Sequence, residues 1–289
     1  MRPFALEGSF SFIKKIFWRL LFMKKSYLSI FLVVLCLALT ACGGQAKKEE
    51  GKTLKVAATA VPHAEILNFV KPLLAKEKIN LTVVEMADYV RPNVAVADKE
   101  LDANFFQHTP YLEKFTKDRK LDLVKVNGVH VEPMGIYSKK VKDLKDIPAE
   151  ATISIPNDPT NGGRALLLLE KAGIIKLKDK AGITATVQDI VANPKNVKIK
   201  EIEAPQLPRT LDDVTLAVIN TNYALDAKLN PTKDALVIED KNSPYVNILV
   251  CRKGEENRPE IQALAKILNS PEVKKFIEEK YKGAVVAAF

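Results

Sequence analysis

The chain has 289 residues, with 44 Lys and Arg against 35 Asp and Glu, a formal net charge of +9, and three cysteines. Much of the excess sits in the first 41 residues, where Arg2, Lys14, Lys15, Arg19, Lys24 and Lys25 face only Glu7. The chain from Cys42 onward carries +4, too mild an excess to argue for nucleic acid. Only Cys251 lies beyond Cys42, so no disulfide framework is possible there, and its place after the apolar run "VNIL" marks it as a buried structural thiol rather than a nucleophile.

The segment "MKKSYLSIFLVVLCLALTAC" reads as a signal peptide ending before Cys42, with residues 1–41 removed and Met23 as the expected true start. Lys24 and Lys25 form its basic region, and the apolar stretch from Tyr27 to Leu39 is short for a membrane span. The small, charged run "GGQAKKEEGK" reads as a flexible tether, giving a tether over 42–52 that leads into the folded body.

From Leu54 onward strand-like and helical patterns alternate. "LKVAATA" predicts a strand, and "HAEILNFVKPLLAKEK" predicts a helix with Ile66, Leu67, Val70, Leu73 and Leu74 on one face, kinked or ended by Pro72. "NLTVVEM" is the next strand, "VRPNVAVADKE" a helix and "LDANFFQ" a third strand; "HTPYLEKF" restarts a helix with Thr109 as cap and Pro110 in its first position. After the extended "DLVKVNGVHVEPMGIYS" the cycle begins again, with strands at "ATISIP", "VKIKEIE" and "TLAVIN" and a helix at "NYALDAKL". A second extended stretch, "ALVIEDKNSPYVNILVCRK", precedes two C-terminal helices, one starting at Ser270 and Pro271. The order predicts an α/β fold of two lobes, each a mostly parallel sheet flanked by helices. The two extended segments are the crossovers: 53–139 and 241–289 make lobe 1, and 140–240 makes lobe 2. Strand-end loops of both lobes then face a cleft.

Those loops supply Asp88-Tyr89, then Gln107, His108 and Tyr111, then "NDPTNGGR", then Asn220. The set is aromatic and amide-rich, with one cation and no acid–base pair placed for catalysis, so it suits holding a ligand. In "NDPTNGGRALLLLEKAG", Asn161 is a natural N-cap, with Asp158 before Pro159 as the alternative start. Either start puts Arg164 in the opening turns of a helix, where the macrodipole disfavours a cation. A guanidinium beside free helix N–H groups suits a carboxylate, and Gly162 and Gly163 would let a ligand approach the backbone. The alternative is that Arg164 pairs with an acidic side chain of the other lobe or extends into solvent. Of Phe105 and Phe106, which alternate across a strand, Phe105 is assigned to the core and Phe106 to the cleft; Tyr89 and Tyr111 would wall a pocket around an apolar or sulfur-containing group. His63, His108 and His130 have no metal-site spacing, and the chain has no P-loop, nucleophile elbow or dinucleotide fingerprint, so neither metal nor cofactor is expected.

"LTAC", "VAATAVPHAEIL", "DYVRPN", "LDANFFQHTPYL", "NDPTNGGRALLLL", "AVINTNYA" and "SPYVNILVCR", in that order, resemble the NlpA lipoprotein family, the methionine-binding lipoproteins of bacterial ABC importers. The resemblance runs from the lipobox to the C-terminal "GAVVAAF". It implies a two-lobed periplasmic-binding-protein fold (type II) and lipidation at Cys42, anchoring a monomer to a membrane on the extracytoplasmic side. It also implies capture of L-methionine and delivery to an ABC permease with its ATPase. Arg164 would grip the α-carboxylate, Asn161 and Asn220 would bond the ligand's backbone groups, and Tyr89, Phe106, His108 and Tyr111 would surround the thioether. Asn247 is a further candidate, and His63 is left structural. Another small amino acid or a methionine-containing dipeptide, or a surface adhesin on the same fold, stands as the alternative.

Overall fold

The computed structural model describes Trp18, residues 51–240 and residues 243–289. The signal segment apart from Trp18, and Cys42 with all of the tether but its last two residues, lie outside the described residues. No helix among the described residues is long and apolar enough to cross a membrane.

The first half opens with β1 (Lys52–Ala58), α1 (Glu65–Lys76), β2 (Ile79–Glu85), α2 (Arg91–Ala97), β3 (Ala103–His108), α3 (Thr109–Arg119) and β4 (Leu123–Val131). The middle of the chain forms β5 (Gly135–Tyr137), β6 (Thr152–Pro156), α4 (Pro159–Lys171), a small hairpin of β7 (Lys176–Leu177) and β8 (Ile190–Ala192), then β9 (Lys198–Ile202), β10 (Leu216–Ile219), α5 (Thr221–Asp226), α6 (Pro231–Asp234) and β11 (Val237–Ile238). The chain returns through β12 (Val246–Arg252), α7 (Pro259–Leu268), α8 (Pro271–Tyr281) and β13 (Val286–Ala287).

These strands make two sheets, ordered β13-β4-β12-β3-β1-β2 and β11-β5-β10-β6-β9. In each sheet the βαβ strands pair in parallel, as β2-β1-β3 and as β9-β6-β10. The crossover strands join antiparallel: β12 beside β3 and β4, and β5 beside β10 and β11. Both sheets are therefore mixed, because a chain that crosses and returns brings its strands in from the opposite direction. β5 belongs to the second sheet, which moves the first crossover from the expected 139/140 boundary to the short stretch Glu132, Pro133 and Met134.

Apolar strand faces account for the cores. Leu54 and Val56 of β1 point with Ile66, Leu67, Val70 and Leu74 of α1 into one cluster, which α7 and α8 complete with Ile261, Leu264, Leu268 and Ile277. The second sheet buries Ile153 and Ile155 of β6 against Ala165, Leu166 and Leu169 of α4. α1 runs on through Pro72 without ending there. Pro72 and Asn68, whose carbonyl loses its amide partner, both lie on the exposed side. At α3 the cap is His108 rather than Thr109: its Nδ1 accepts from the Tyr111 amide at 3.2 Å, which places Thr109 and Pro110 inside the first turn.

A candidate ligand-binding cleft

Between the strand ends of the two sheets lies a cleft. Tyr89, Phe106, His108, Tyr111, Asn161, Arg164, Asn220 and Asn247, the eight candidates named from the sequence, all line it. Gln107, named from the sequence among the loop residues, lines it too, as do Glu132, Thr221 and Asn222, which were not singled out.

One end of the cleft is aromatic. Phe106 leaves β3 toward the cleft, while its neighbour Phe105 turns into the core against the edge of His63. The ring of Tyr89 lies 5.9 Å from Phe106, 5.8 Å from Tyr111 and 5.0 Å from Tyr223. Hydrogen bonds fix these rings: Tyr111 Oη donates to the Tyr89 carbonyl at 2.9 Å, and Tyr89 Oη donates to Asn222 Oδ1 at 2.6 Å. The second bond joins the loop after β2 to α5 across the cleft, and Tyr223 Oη donating to the Ala87 carbonyl at 2.9 Å joins the same two segments.

The opposite end is polar and draws on both sheets. α4 begins at Pro159 with Asp158 as its N-cap, accepting from the Asn161 amide at 3.0 Å, so the alternative start is the one adopted and Asn161 lies in the first turn. The side-chain amide of Asn161 donates to the Asp158 carboxylate, and its Oδ1 accepts from Asn220 Nδ2 at 2.8 Å and from His108 Nε2 at 3.1 Å. Since His108 Nδ1 already accepts from the Tyr111 amide, Nε2 carries the proton. Burial, with the Arg164 charge adding to it, lowers the His108 pKa to about 3, so this imidazole is a neutral donor. Asn220 Oδ1 is buried with no partner among the described residues.

Arg164 is 3% exposed and is held from three directions. Its Nε donates to Glu239 Oε1 at 3.0 Å, its Nη2 to Glu239 Oε2 and to the Glu132 carbonyl at 2.8 Å, and its guanidinium lies 4.1 Å from the centre of the Tyr245 ring. The acidic partner is real but comes from beside β11 of its own sheet, and it occupies the Nε edge. Nη1 makes no hydrogen bond among the described residues. Gly162 and Gly163 serve the fold rather than a ligand: an added Cβ would stand 2.9 Å from the Pro156 carbonyl oxygen and 2.3 Å from that of Ile183, so α4 needs both positions bare to pack.

Glu132, at the first crossover, is the carboxylate of the cleft. Burial pushes its pKa up, opposed by His63, Arg164 and the Asn222 backbone amide. Behind it stand His63 and His130, whose Nε2 atoms lie 3.2 Å and 2.7 Å from Glu132 Oε1. Asn247 Oδ1 is 3.1 Å from His63 Nε2. The three residues bring possible metal-ligand atoms within 4.8 Å of one another, a grouping that their spacing of 67 and 2 residues along the chain conceals. The signal for Glu132 was present in "VNGVHVEPMGIY", a lone acid in an apolar run, but a crossover strand reads as a connector. Glu239 and Tyr245 were hidden in the second crossover for the same reason.

The architecture defines the class: a two-lobed, periplasmic-binding-protein fold with its ligand cleft between the strand ends of two sheets. The comparisons with known proteins agree with it. Residues 54–289 match the family model described as NlpA lipoprotein. The methionine-binding lipoprotein MetQ of Bacillus subtilis is 46% identical over 271 residues, covering 91% of this chain and 98% of the relative. The structure of a nutrient-binding protein from Burkholderia cenocepacia bound to methionine aligns with a TM-score of 0.80 at 48% identity, over 82% of this chain and 100% of the other. That of an ABC transporter periplasmic substrate-binding protein from Coxiella burnetii aligns with a TM-score of 0.78 at 41% identity, over 81% and 100%. The chain belongs to the NlpA lipoprotein family, whose members here are binding proteins and not enzymes.

Proposed function

We propose that the cleft captures methionine as a zwitterion and that the protein delivers it to an ABC importer from the extracytoplasmic face of a membrane. The observation that carries this reading is the pairing of one buried cation, Arg164, with one buried carboxylate, Glu132, at the polar end of a cleft whose other end is aromatic. An α-amino acid has the complementary layout, with its carboxylate at Arg164 Nη1, its ammonium at Glu132 and Asn220 Oδ1, and an apolar or thioether side chain among Tyr89, Phe106 and Tyr111. The names of the relatives support methionine as that amino acid. Lipidation at Cys42 would hold a monomer at the membrane, beside a permease and its ATPase.

The test is calorimetric titration of L-methionine into the purified protein, unfolded and refolded beforehand to strip carried ligand, with a competition panel of other amino acids and methionine dipeptides. One-to-one binding led by methionine is expected; no heat from folded protein across the panel would overturn the reading.

A further inference from the structure

Glu132 is backed by an arrangement that its role as a ligand partner does not by itself require. Its Oε1 faces two imidazoles at once, His130 Nε2 at 2.7 Å and His63 Nε2 at 3.2 Å. His63 Nε2 faces two acceptor oxygens, Glu132 Oε1 and Asn247 Oδ1, so it carries the ring proton and Nδ1 accepts from the Thr59 hydroxyl 2.7 Å away. For His130 the far nitrogen decides: Nδ1 is buried with no partner among the described residues. A proton on Nδ1 would be a stranded buried donor, whereas a proton on Nε2 leaves only an unbonded acceptor, the cheaper of the two. Both rings therefore present N–H to one carboxylate oxygen, which opposes the upward pull of burial on the Glu132 pKa.

Burial keeps both rings uncharged, with pKa values lowered to about 4 for His63 and about 3 for His130. A neutral donor stabilises a carboxylate without cancelling its charge, as a Lys or Arg in the same place would. A metal ion fits less well: it would take the Nε2 lone pairs, forcing the proton to Nδ1 and stranding it at His130.

We propose that His63 and His130 are positioning residues for α-amine recognition, two neutral imidazole donors that hold the Glu132 carboxylate ionised and aimed into the cleft, so that the site prefers an α-ammonium to an uncharged α-substituent. This rests on the reading of Glu132 as the ammonium partner.

The experiment compares L-methionine with 2-hydroxy-4-methylthiobutanoate, which replaces the ammonium by a hydroxyl, by titration into the purified protein with thermal melts as the check on folding. His130→Leu is expected to weaken methionine about ten- to a hundredfold, the loss of a donor to a charged group, with the hydroxy acid little changed. His130→Gln, whose amide reaches the same oxygen, restores the preference. If the leucine variant does not fold, His130→Asn against His130→Gln makes the same comparison, since the asparagine amide ends one bond short. Equal weakening of both ligands, an unchanged preference in a folded variant, or methionine binding that is lost in EDTA and restored by zinc overturns the proposal. Glu132→Gln separates the two levels. If it abolishes the preference while His130→Leu does not, only the role of the histidines fails; if it keeps the preference, the reading of Glu132 fails with it.

Discussion

The two ends of the cleft are built in different ways. The aromatic end comes from short stretches of neighbouring sequence: Phe106 and Tyr111 follow closely out of β3 into α3, and Tyr89 closes over them from the loop after β2. The polar end is assembled from distant segments, with Arg164 from α4, Glu132 from the first crossover, Asn220 before α5, and Glu239 and Tyr245 from the second crossover. A local pocket wall survives the loss of one member because its neighbours stay packed. A charge pair drawn from several segments leaves a stranded charge when one member is removed.

The sharpest way to break that comparison is Arg164→Ala. It is expected to cost about 2–5 kcal/mol of methionine affinity, as for a desolvated charge losing its partner, while the protein stays folded in circular dichroism. Binding unchanged by calorimetry would mean that the polar end does not hold the ligand.

Acidification probes the same end through stability. His63, His108 and His130 have folded-state pKa values near 4, 3 and 3, below the usual 6.5. Below pH 6.5 the unfolded chain binds protons that the folded one refuses, so stability present at neutral pH falls as pH drops from 6.5 toward 4. Glu132 and Asp158, whose pKa values are raised by burial, bind protons in the folded state first and oppose the trend. Each histidine left uncancelled contributes about 1.4 kcal/mol per pH unit. Urea midpoints at pH 7 and pH 5 measure it, and equal midpoints would contradict three buried neutral imidazoles.

A smaller effect of about 0.5–1.5 kcal/mol is expected from Tyr223→Phe, which removes one hydrogen bond between α5 and the loop after β2. Tyr223 packs behind Tyr89 and keeps its ring in the variant, so the loss should appear in the urea midpoint. The smallest effect belongs to the aromatic end. Norleucine, with a methylene in place of sulfur, should bind less tightly than methionine by about 0.3–1.5 kcal/mol, the range of sulfur–aromatic contacts. Phe106→Leu should narrow that gap, and a gap unchanged in the variant would remove Phe106 from the thioether wall.

What the sequence by itself determined is what short-range pattern encodes. Period-two runs such as "LKVAATA" and the 3.6-residue face of α1 define buried surfaces, and the strand ends they imply point to the loops holding Tyr89, His108, Asn161 and Asn220. Pattern also marked two extended stretches as crossovers, with the first boundary placed after β5 rather than before it and without their direction of pairing, so the antiparallel halves of both sheets emerged only when β4, β5, β11 and β12 found their neighbours. Helix starts were legible to within a few residues, since Asp158 and Asn161, or His108 and Thr109, offer competing caps whose choice depends on what each side chain meets. The tertiary structure alone decided that Gly162 and Gly163 make room for the Pro156 and Ile183 carbonyls, that Arg164 rests on Glu239 and Tyr245, and that His63 and His130 stand behind Glu132. The reason is common to all three: hydrogen bonds, ion pairs and steric contacts act over a few ångströms in space, and each of these arrangements includes a partner distant along the chain, 20 positions away for Gly163 and Ile183, 69 for His63 and Glu132, and 81 for Arg164 and Tyr245.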